Sequence, residues 1–508
     1  MNILSSAYIF SFFTLISRIL GYARDILIAI FLGTSISADA FFVAFRLPNT
    51  FRRLFAEGTF NAAFIPSYTS VKIENKQKGK KFADDVLSFL IFTLLIIITV
   101  VEIFTPYLIY IIAPGFVEDQ IKFDLAVELI RITFPFLLFV SLSSFFGGIL
   151  NSNNKFAAAA AAPIILNIIL IVSLLISYYF KLNFVKYLSY GVTLAGIIQL
   201  IFLIFVTLKF YKPDLVFKFK LNNRVKFFFR KLLPSILSSG VTQINILVGT
   251  IIASFQSGAV SYLYYADRIY QINLAIAGVA VSTVSLPVLS KAFKNKNLKK
   301  ISNIQNKSFE LSLLFSVPAS IGIILSAEQI VNALFGYGSF SKNDVEMTAT
   351  ALKYFGFGIP AFALIKVLSN FFFARNNTQT PFFISVFIVI LNIFVSVSFF
   401  SKVGFVIIPI ATSVSTWIGV IIYLYILNLK KFLLLENLLI LNFIKILAST
   451  ILMSVVLITT LDYYVTYLDY SYKYKAIYLI SIVSFVGILY LFSCYLLGIL
   501  KLKNYKAY

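Results

Sequence analysis

The sequence predicts an all-α polytopic membrane protein with about fourteen transmembrane helices. Of its 508 residues, 60% are hydrophobic and only 12% are charged, and the mean hydropathy is +0.93. Apolar runs recur along the chain, and with its flanks each is close to the ~20 residues that a helix needs to cross a hydrocarbon core. These runs include 89–101, 163–177, 195–208, 311–325, 382–400 and 477–500. Because no alternation of the barrel type runs over roughly ten residues, we predict helices rather than strands.

Basic connections predict the topology. Lysine and arginine are concentrated at 72–81, 209–231 and 291–307, with smaller groups at 430–431 and 501–506. The connections between these segments are short, neutral or acidic. The positive-inside rule therefore places the basic segments and both termini in the cytoplasm. Attraction to anionic membrane lipids is a sufficient reason for these lysines, so we expect no nucleic-acid partner despite the net charge of +23.

Short matches within the chain predict an internal repeat. Four of them occur in the same order at separations of 221 to 225 residues. They pair Ala44–Leu47 with Ala266–Ile269, Ile65–Ser67 with Leu286–Val288, Asn153-Asn154 with Asn376-Asn377, and Ile165–Ile168 with Ile390–Ile393. Such parallel halves recur in transporters, with the substrate site near the membrane midplane. We predict a six-helix lobe at 1–212, a pseudo-symmetric second six-helix lobe at 213–432 and two additional helices at 433–508.

The residue types that are present exclude several kinds of chemistry. Cys494 is the only cysteine and histidine is absent. An intramolecular disulfide, a cysteine-based metal cluster, a histidine-ligated metal and imidazole catalysis are therefore excluded. No nucleophile–base pair is visible either. We predict that the protein is not an enzyme and that it has no catalytic residue, metal site or cofactor.

The stretch 8–69 is typical of membrane-spanning sequence, yet it contains five arginines and only three carboxylates. These residues are Arg18, Arg24, Arg46, Arg52 and Arg53, with Asp25, Asp39 and Glu57. An isolated charge at the bilayer centre costs at least ~2.5–3.5 kcal/mol, so such residues normally face a bundle interior or a water-filled cavity. The excess of arginine predicts a pocket for an anion, to which Arg268 contributes from the second half of the chain.

Some of these charges are expected to pair with one another. Arg53 and Glu57 have the i, i+4 spacing of a helical ion pair, whereas Asp267 is merely adjacent to an arginine. For Arg53, Glu57, Asp25 and Asp267 we predict internal charge pairing that holds the bundle together, with a role in ligand binding as the open alternative.

The carboxylates are too few for the remaining arginines, which are therefore predicted to bind a ligand: Arg18, Arg24, Arg52 and Arg268. Ser17, Gly21 and Arg24 share a small-residue helix face that a ligand or another helix could approach closely. A guanidinium donates two parallel hydrogen bonds to one phosphate, and a diphosphate offers several such edges. A drug exporter that exchanges cations would instead need a cavity dominated by carboxylates.

Several motifs resemble those of the MurJ/MviN family of lipid II flippases, over nearly the whole chain. The specific block is Ser17–Asp25 (SRILGYARD), Ala38–Asn49 (ADAFFVAFRLPN) and Phe55–Gly58 (FAEG). Further matches are Ala113–Phe116 (APGF), Tyr265–Arg268 (YADR) and Thr378–Pro381 (TQTP). The resemblance implies the fold of the multidrug/oligosaccharidyl-lipid/polysaccharide exporter superfamily. That fold has two six-helix lobes in a V, plus two C-terminal helices that line a groove for a lipid tail.

The resemblance also implies a function. The substrate would be lipid II, an undecaprenyl-diphosphate-linked GlcNAc-MurNAc-pentapeptide, carried from the inner to the outer leaflet of the bacterial cytoplasmic (inner) membrane. The lobes would work by alternating access, with the diphosphate on central arginines. Peptidoglycan biosynthesis would be the process served, with cell-wall synthesis proteins as further candidate partners.

The resemblance places the family's functional arginines at Arg18, Arg24, Arg52 and Arg268, with Asp39 and Ser17 as lesser members. The position of Arg46 is lysine in some relatives, and that of Gln271 is acidic in some. Two other classes stay open at this point. One is an exporter of another polyprenyl-linked oligosaccharide or of a drug, and the other is a non-transporting scaffold that recruits cell-wall proteins.

Overall fold

The computed structural model describes residues 3–500 except 57–58, 215–229, 231–239, 241–242 and 434–435. It divides into two compact units, Met1–Ser261 and Tyr262–Tyr508. Most of the predicted linker 209–231, the basic tail and Glu57 therefore lie outside the described residues, and the side chain of Arg53 does as well. The predicted boundaries near residues 212 and 432 stay predictions.

The first unit is a set of helices. They are α1 (Ile3–Leu32), α2 (Ile36–Ala56), α3 (Thr59–Glu74), α4 (Lys76–Ile112), α5 (Gln120–Thr133), α6 (Phe136–Ser152), α7 (Phe156–Tyr179), α8 (Phe184–Thr207) and α9 (Gln243–Ala253). Its buried core is aromatic and aliphatic, with Phe64, Phe136 and Phe145 fully enclosed. Helix α1 packs on α7, and α2 packs on α5 and α6.

The second unit is also helical throughout its described part. Its elements are α10 (Ala259–Leu274), a π-helical turn (Ala275–Ala280), α11 (Val281–Lys294), α12 (Leu298–Phe335), α13 (Lys342–Phe373), α14 (Gln379–Val403), α15 (Ile407–Leu429), α16 (Asn437–Tyr463) and α17 (Lys475–Leu496). Helix α10 begins just before the unit boundary. Helix α13 packs on α12, α15 and α11, and α16 packs on α12.

Helix starts repeat along the chain as the sequence matches predict. The pairs α2 and α10, α4 and α12, α5 and α13, α7 and α14, and α8 and α15 begin 222 or 223 residues apart. Backbone detail repeats too, because Asn154 and Asn376 both have φ of 58° in the turns that precede α7 and α14. The two extra helices α16 and α17 follow the second copy. The internal repeat is therefore a property of the fold as well as of the sequence.

The predicted all-α polytopic membrane fold is confirmed. Ten helical segments are long and apolar enough to span a membrane, and within the described residues no β-strand occurs. One of the ten, Gln379–Leu429, contains both α14 and α15. Helices α1, α2 and α9 are not among the ten. The side chains of residues 3–7 and 53–59, and residues 231–239 and 241–242, lie outside the described part of the chain, so the count of ten covers only part of α1, α2 and α9.

Prolines inside the helices show how the membrane environment shapes the packing. A proline lacks the N–H that would bond the carbonyl four residues earlier, and lipid offers no replacement donor. In four helices that carbonyl accepts instead from a side chain of a neighbouring helix. The bonds are Thr133 Oγ1 to Ala44 O (3.2 Å, Pro48), Arg131 Nε to Glu102 O (3.3 Å, Pro106), Tyr490 Oη to Leu314 O (2.7 Å, Pro318) and Ser320 Oγ to Gly356 O (2.8 Å, Pro360).

One of these bonds joins the extra helices to the second unit. The hydroxyl of Tyr490 on α17 reaches the carbonyl that Pro318 frees on α12. A second polar link lies on α16, where Asn442 Nδ2 donates to Glu310 Oε2 at 2.9 Å. Lys307 donates to the other oxygen of Glu310 at 2.7 Å. Helices α16 and α17 are thus held on α12 by hydrogen bonds in addition to apolar packing.

We predict that Tyr490→Phe lowers the stability of the protein by about 0.5–1.5 kcal/mol, because a buried carbonyl loses its donor. Thermal unfolding in detergent measures this change. Tyr495→Phe on the same helix is the matched control, since Tyr495 is 59% exposed. In a Pro318→Ala background the helix regains its N–H, so Tyr490→Phe should cost less. An equal cost in both backgrounds would contradict the account of the proline site.

Candidate anion-binding site

Arg24 on α1 is held in place by two neighbours. It is 6% exposed. Its Nε and Nη2 atoms donate to Asp25 Oδ1 at 2.9 and 2.6 Å, and Nη1 donates to Asn167 Oδ1 of α7 at 2.8 Å. A guanidinium has five N–H donors, so two remain for another acceptor. Asp25, for which we predict charge pairing, forms its ion pair with the residue next to it.

Asn167 organises this part of α1. Its Nδ2 donates to the carbonyl of Ser17 at 2.8 Å and lies 3.4 Å from the Ser17 hydroxyl. A Cβ atom at Gly21 would lie 3.7 Å from the same amide nitrogen. The face formed by Ser17, Gly21 and Arg24 therefore packs on α7 rather than standing open. The sequence marks Asn167 only as part of the repeat, although an amide in an apolar span is a signal that a polar partner lies nearby.

The other arginines of the first unit are more accessible. Arg18 is exposed on α1, while Arg46 and Arg52 on α2 are partly exposed. Arg52 Nε donates to Asn49 Oδ1 one turn earlier at 2.9 Å, which orients the guanidinium on the helix surface. These three side chains place positive charge on α1 and α2, where they are exposed or partly exposed.

Asp39 on α2 is bound by donors from several neighbouring elements. Its carboxylate is fully buried and accepts from Lys122 Nζ at 2.7 Å. It also accepts from the backbone N–H of Gly258 at 2.9 Å, and from the N–H and the hydroxyl of Ser261 at 3.0 and 2.6 Å. Four donors fill the acceptor positions of both oxygens. Asp39 thus ties α2 and α5 to the segment that opens α10.

Lys122 is a buried cation of the first unit that no sequence pattern indicates. It is 4% exposed, and its ammonium lies 4.3 Å from the centre of the Phe116 ring in addition to its bond with Asp39. Lys122 stands 83 residues from Asp39, on another helix. No local spacing predicts such a pair, because only tertiary packing brings the two residues together.

Arg268 lies on α10, in the second unit. Its Nη2 donates to the Tyr264 hydroxyl at 2.8 Å, and the guanidinium carbon lies 4.7 Å from the centre of the same ring. Both contacts come from one turn earlier on the helix and fix the direction of the side chain. Asp267 accepts a hydrogen bond from the side-chain amide of Gln271. The observed partner of Asp267 is therefore a neutral group, whereas we predict charge pairing from the sequence.

These groups can bind and orient an anion, but they do not form a nucleophile–base pair. Within the described ranges no cluster of three or more histidine, cysteine, aspartate or glutamate side chains could hold a metal ion. Cys494 is buried on α17. The groups that could take part in binding are guanidinium and ammonium groups on membrane helices.

Comparisons with known proteins identify related chains. A family model described as lipid II flippase MurJ matches residues 28–503. A probable lipid II flippase MurJ of Rickettsia prowazekii is 37% identical over 510 residues, which cover 99% of each chain. A probable lipid II flippase MurJ of Rhizobium tropici is 38% identical over 414 residues, covering 80% of this chain and 78% of that one.

Solved structures agree on the fold. A structure of lipid II flippase MurJ in an inward closed conformation matches with a TM-score of 0.81 at 27% identity, covering 96% of this chain and 98% of that chain. An inward-facing multidrug resistance MATE family transporter matches with a TM-score of 0.67 at 17% identity, covering 82% of this chain and 94% of that one. The second likeness shows a shared fold alone. From the family model and these relatives together, this chain belongs to the MurJ family of lipid II flippases.

Proposed function

We propose that this protein is a transporter that moves lipid II from the inner to the outer leaflet of the bacterial cytoplasmic membrane. The observation that carries the proposal is Arg24, a buried arginine fixed by Asp25 and Asn167 inside an otherwise apolar helical unit. A buried cation of this kind is costly in a membrane and normally marks a substrate or ion pathway. Family membership supports the substrate, and it supports a transporter rather than an enzyme.

The diphosphate of the substrate is the part that these residues suit. Arg18, Arg46 and Arg52 present guanidinium groups that are exposed or partly exposed on α1 and α2. Each can donate two parallel hydrogen bonds to one phosphate edge. Arg24 adds its two remaining N–H donors, and Arg268 contributes from α10. In this proposal the arginines bind the charged headgroup, while the lobes alternate access between the two membrane faces.

The remaining residues receive supporting roles. Ser17 anchors Asn167 through its carbonyl, so it acts on Arg24 through the amide rather than on the substrate itself. Asp39 is assigned to the link between α2, α5 and the start of α10, since Lys122, Gly258 and Ser261 already bind its carboxylate. In the proposed mechanism Asp39 has a structural role. Its loss would displace the start of α10, the helix that carries Arg268.

The apolar part of the substrate, its polyprenyl tail, is assigned to other helices than the diphosphate. Large hydrophobic side chains on α16 and α17 are exposed, including Ile451 (65%), Ile480 (65%) and Ile488 (67%). We assign these faces to contact with the polyprenyl tail. The cytoplasmic lysines are assigned to anionic lipid headgroups, and proteins of cell-wall synthesis are assigned as partners on the basis of the family's process.

We predict that Asn167→Asp weakens binding of a polyprenyl diphosphate by about tenfold or more. A second carboxylate beside Arg24 would neutralise the guanidinium and compete with the phosphate. Binding to purified protein in nanodiscs measures the effect, and Arg24→Ala should give a loss of similar size.

The matched control is Asn392→Asp, at the equivalent place in the repeat. Asn392 is equally buried but donates to the Thr412 hydroxyl and accepts from the Ser396 hydroxyl. Unchanged binding by Asn167→Asp would contradict the assignment of Arg24.

We also predict that both termini and the basic segments 72–81 and 291–307 face the cytoplasm, because lysine is retained on that side of the membrane. Single cysteines introduced near Lys78, Lys296 and Leu500 in a Cys494→Ser background can be tested with a membrane-impermeant thiol reagent. All three should be protected in intact cells and should react in inverted vesicles. A cysteine near Gly338, on the connection between α12 and α13, should react in intact cells. The reverse pattern at Lys78 and Lys296 would overturn the orientation.

A further inference from the structure

Lys366 is a cation on α13 that the arginine set does not include. Helix α13 is closely surrounded, and between residues 347 and 373 only Lys353, Phe357, Lys366 and Phe373 are exposed. Lys366 stands seven residues before the last residue of α13, which corresponds to about 10 Å of helix. A lysine at this depth either extends to the lipid headgroups or faces an opening in the protein. The direction in which its helix face points decides between the two.

Contacts along α13 give that direction. The carbonyl of Lys366 accepts a hydrogen bond from Ser282 Oγ of α11 at 3.1 Å. One turn earlier on the same face, the ring of Phe362 lies 5.4 Å from the ring of Tyr270 on α10. A Cβ atom at Gly278 in the π-helical turn would lie 3.0 Å from Ala363 Cα. The face that carries Lys366 therefore lies against the continuous segment α10–π turn–α11, on which Arg268 also stands.

The other exposed lysine of α13 points elsewhere. Lys353 is thirteen residues before Lys366, which places it roughly 140° around the helix axis at 3.6 residues per turn. Phe357 shares the side of Lys353, and its carbonyl accepts from the indole N–H of Trp417 on α15 at 2.9 Å. Lys353 is thus a natural comparison for Lys366. Both are exposed lysines of one helix, but they lie on different faces.

The surroundings of Lys366 hold no carboxylate to neutralise it. The π-helical turn, α11 and α15 contain no aspartate or glutamate. On α12, Glu310 is bound by Lys307 and Asn442, and Glu328 lies near the opposite end of the helix. On α10, Asp267 accepts from Gln271. Across the part of the chain that the structure describes, Lys366 forms no ion pair. An unneutralised intramembrane cation is a functional-site candidate by default.

We propose that Lys366 is a second anion-binding position of the protein, which takes a phosphate-ester group before that group reaches Arg268. The inference rests on the proposed function, because it names a further contact of the same diphosphate substrate. Fourteen residues separate Arg268 from Ser282, or about 20 Å of helix, so one phosphate cannot contact Arg268 and Lys366 at once. The π-helical turn lies between the two positions, and such turns occur frequently at functional sites. Lys366 and Arg268 therefore mark successive positions along one helix segment.

Chemical modification tests the proposal on the full chain in phosphatidylcholine nanodiscs. A water-soluble amine-reactive ester is applied, and modification is read by mass spectrometry at Lys366 and at the exposed Lys300. We expect Lys366 to react, and we expect a polyprenyl diphosphate to protect it severalfold while Lys300 is unaffected. Polyprenol, which lacks the phosphates, should give no protection. Nanodiscs that contain phosphatidylglycerol show whether the group bound at Lys366 comes from the polyprenyl diphosphate or from the headgroups of the bulk lipid. Protection by this bulk lipid equal to that by the polyprenyl diphosphate would assign Lys366 to ordinary headgroups and overturn the proposal.

Substitution provides the second measurement. Lys366→Gln should weaken binding of the polyprenyl diphosphate severalfold, Lys366→Arg should restore most of the affinity, and Lys353→Gln should leave it unchanged. A Lys366 that does not react, or reacts without protection while the wild type still binds the diphosphate, would overturn this inference and leave the proposed function intact. Wild-type protein that binds diphosphate and polyprenol equally would instead refute the proposed function.

Discussion

Buried polar groups in this protein must find their partners within the protein, because lipid supplies none. This constraint explains the site and the packing together. Arg24 can remain charged inside the first unit because Asp25 and Asn167 bind three of its nitrogen atoms. Asp39 can remain fully buried because four donors converge on it. The same rule joins helices at prolines, where the carbonyl freed on one helix is bound by a side chain of the next.

The constraint also separates two kinds of charge. Asp39 and Lys122 satisfy each other and the backbone around them, so their role is to hold α2, α5 and the start of α10 together. Arg18 is exposed and Arg46 and Arg52 are partly exposed on α1 and α2, and these are the guanidinium groups that we propose to contact an anion. Arg24 belongs to both kinds, since it is anchored by neighbours and still has donors to spare. In the proposed site Arg24 would need little rearrangement to bind a phosphate, because Asp25 and Asn167 already set its position.

The sequence was a good guide where the signal is local or periodic. Apolar runs predict the helical membrane fold, and short matches at nearly constant separation predict the repeat that the helix starts then reproduce. The arginine excess in 8–69 marks the region of Arg24 because charge in an apolar span is conspicuous in one dimension. The ion pair of Asp25 is likewise local, since the two residues are neighbours in the chain.

The sequence was a poor guide to partners that only tertiary packing brings together. Asn167 is 143 residues from Arg24 and Lys122 is 83 residues from Asp39, so no spacing rule connects them. The donors around Asp39 belong to Lys122, Gly258 and Ser261, and no spacing in the sequence places these residues beside it. Asp267 accepts a hydrogen bond from the amide of Gln271, and its charge pairing stays a prediction. The direction of the Lys366 face depends on contacts with α10 and α11 that its own helix does not reveal.

The central claim is that the intramembrane arginines recognise the phosphates of a lipid. Its most direct test is to compare the affinities of a polyprenyl diphosphate, the monophosphate and the free alcohol of equal chain length for wild-type protein and for Arg24→Ala and Arg268→Ala. Native mass spectrometry from nanodiscs can measure all three ligands. The account predicts that the wild type prefers the diphosphate to the alcohol by tenfold or more, about 1.4 kcal/mol, and that either substitution removes most of this preference. Equal binding of the alcohol and the diphosphate by the wild type, or a preference unchanged in both variants, would contradict it.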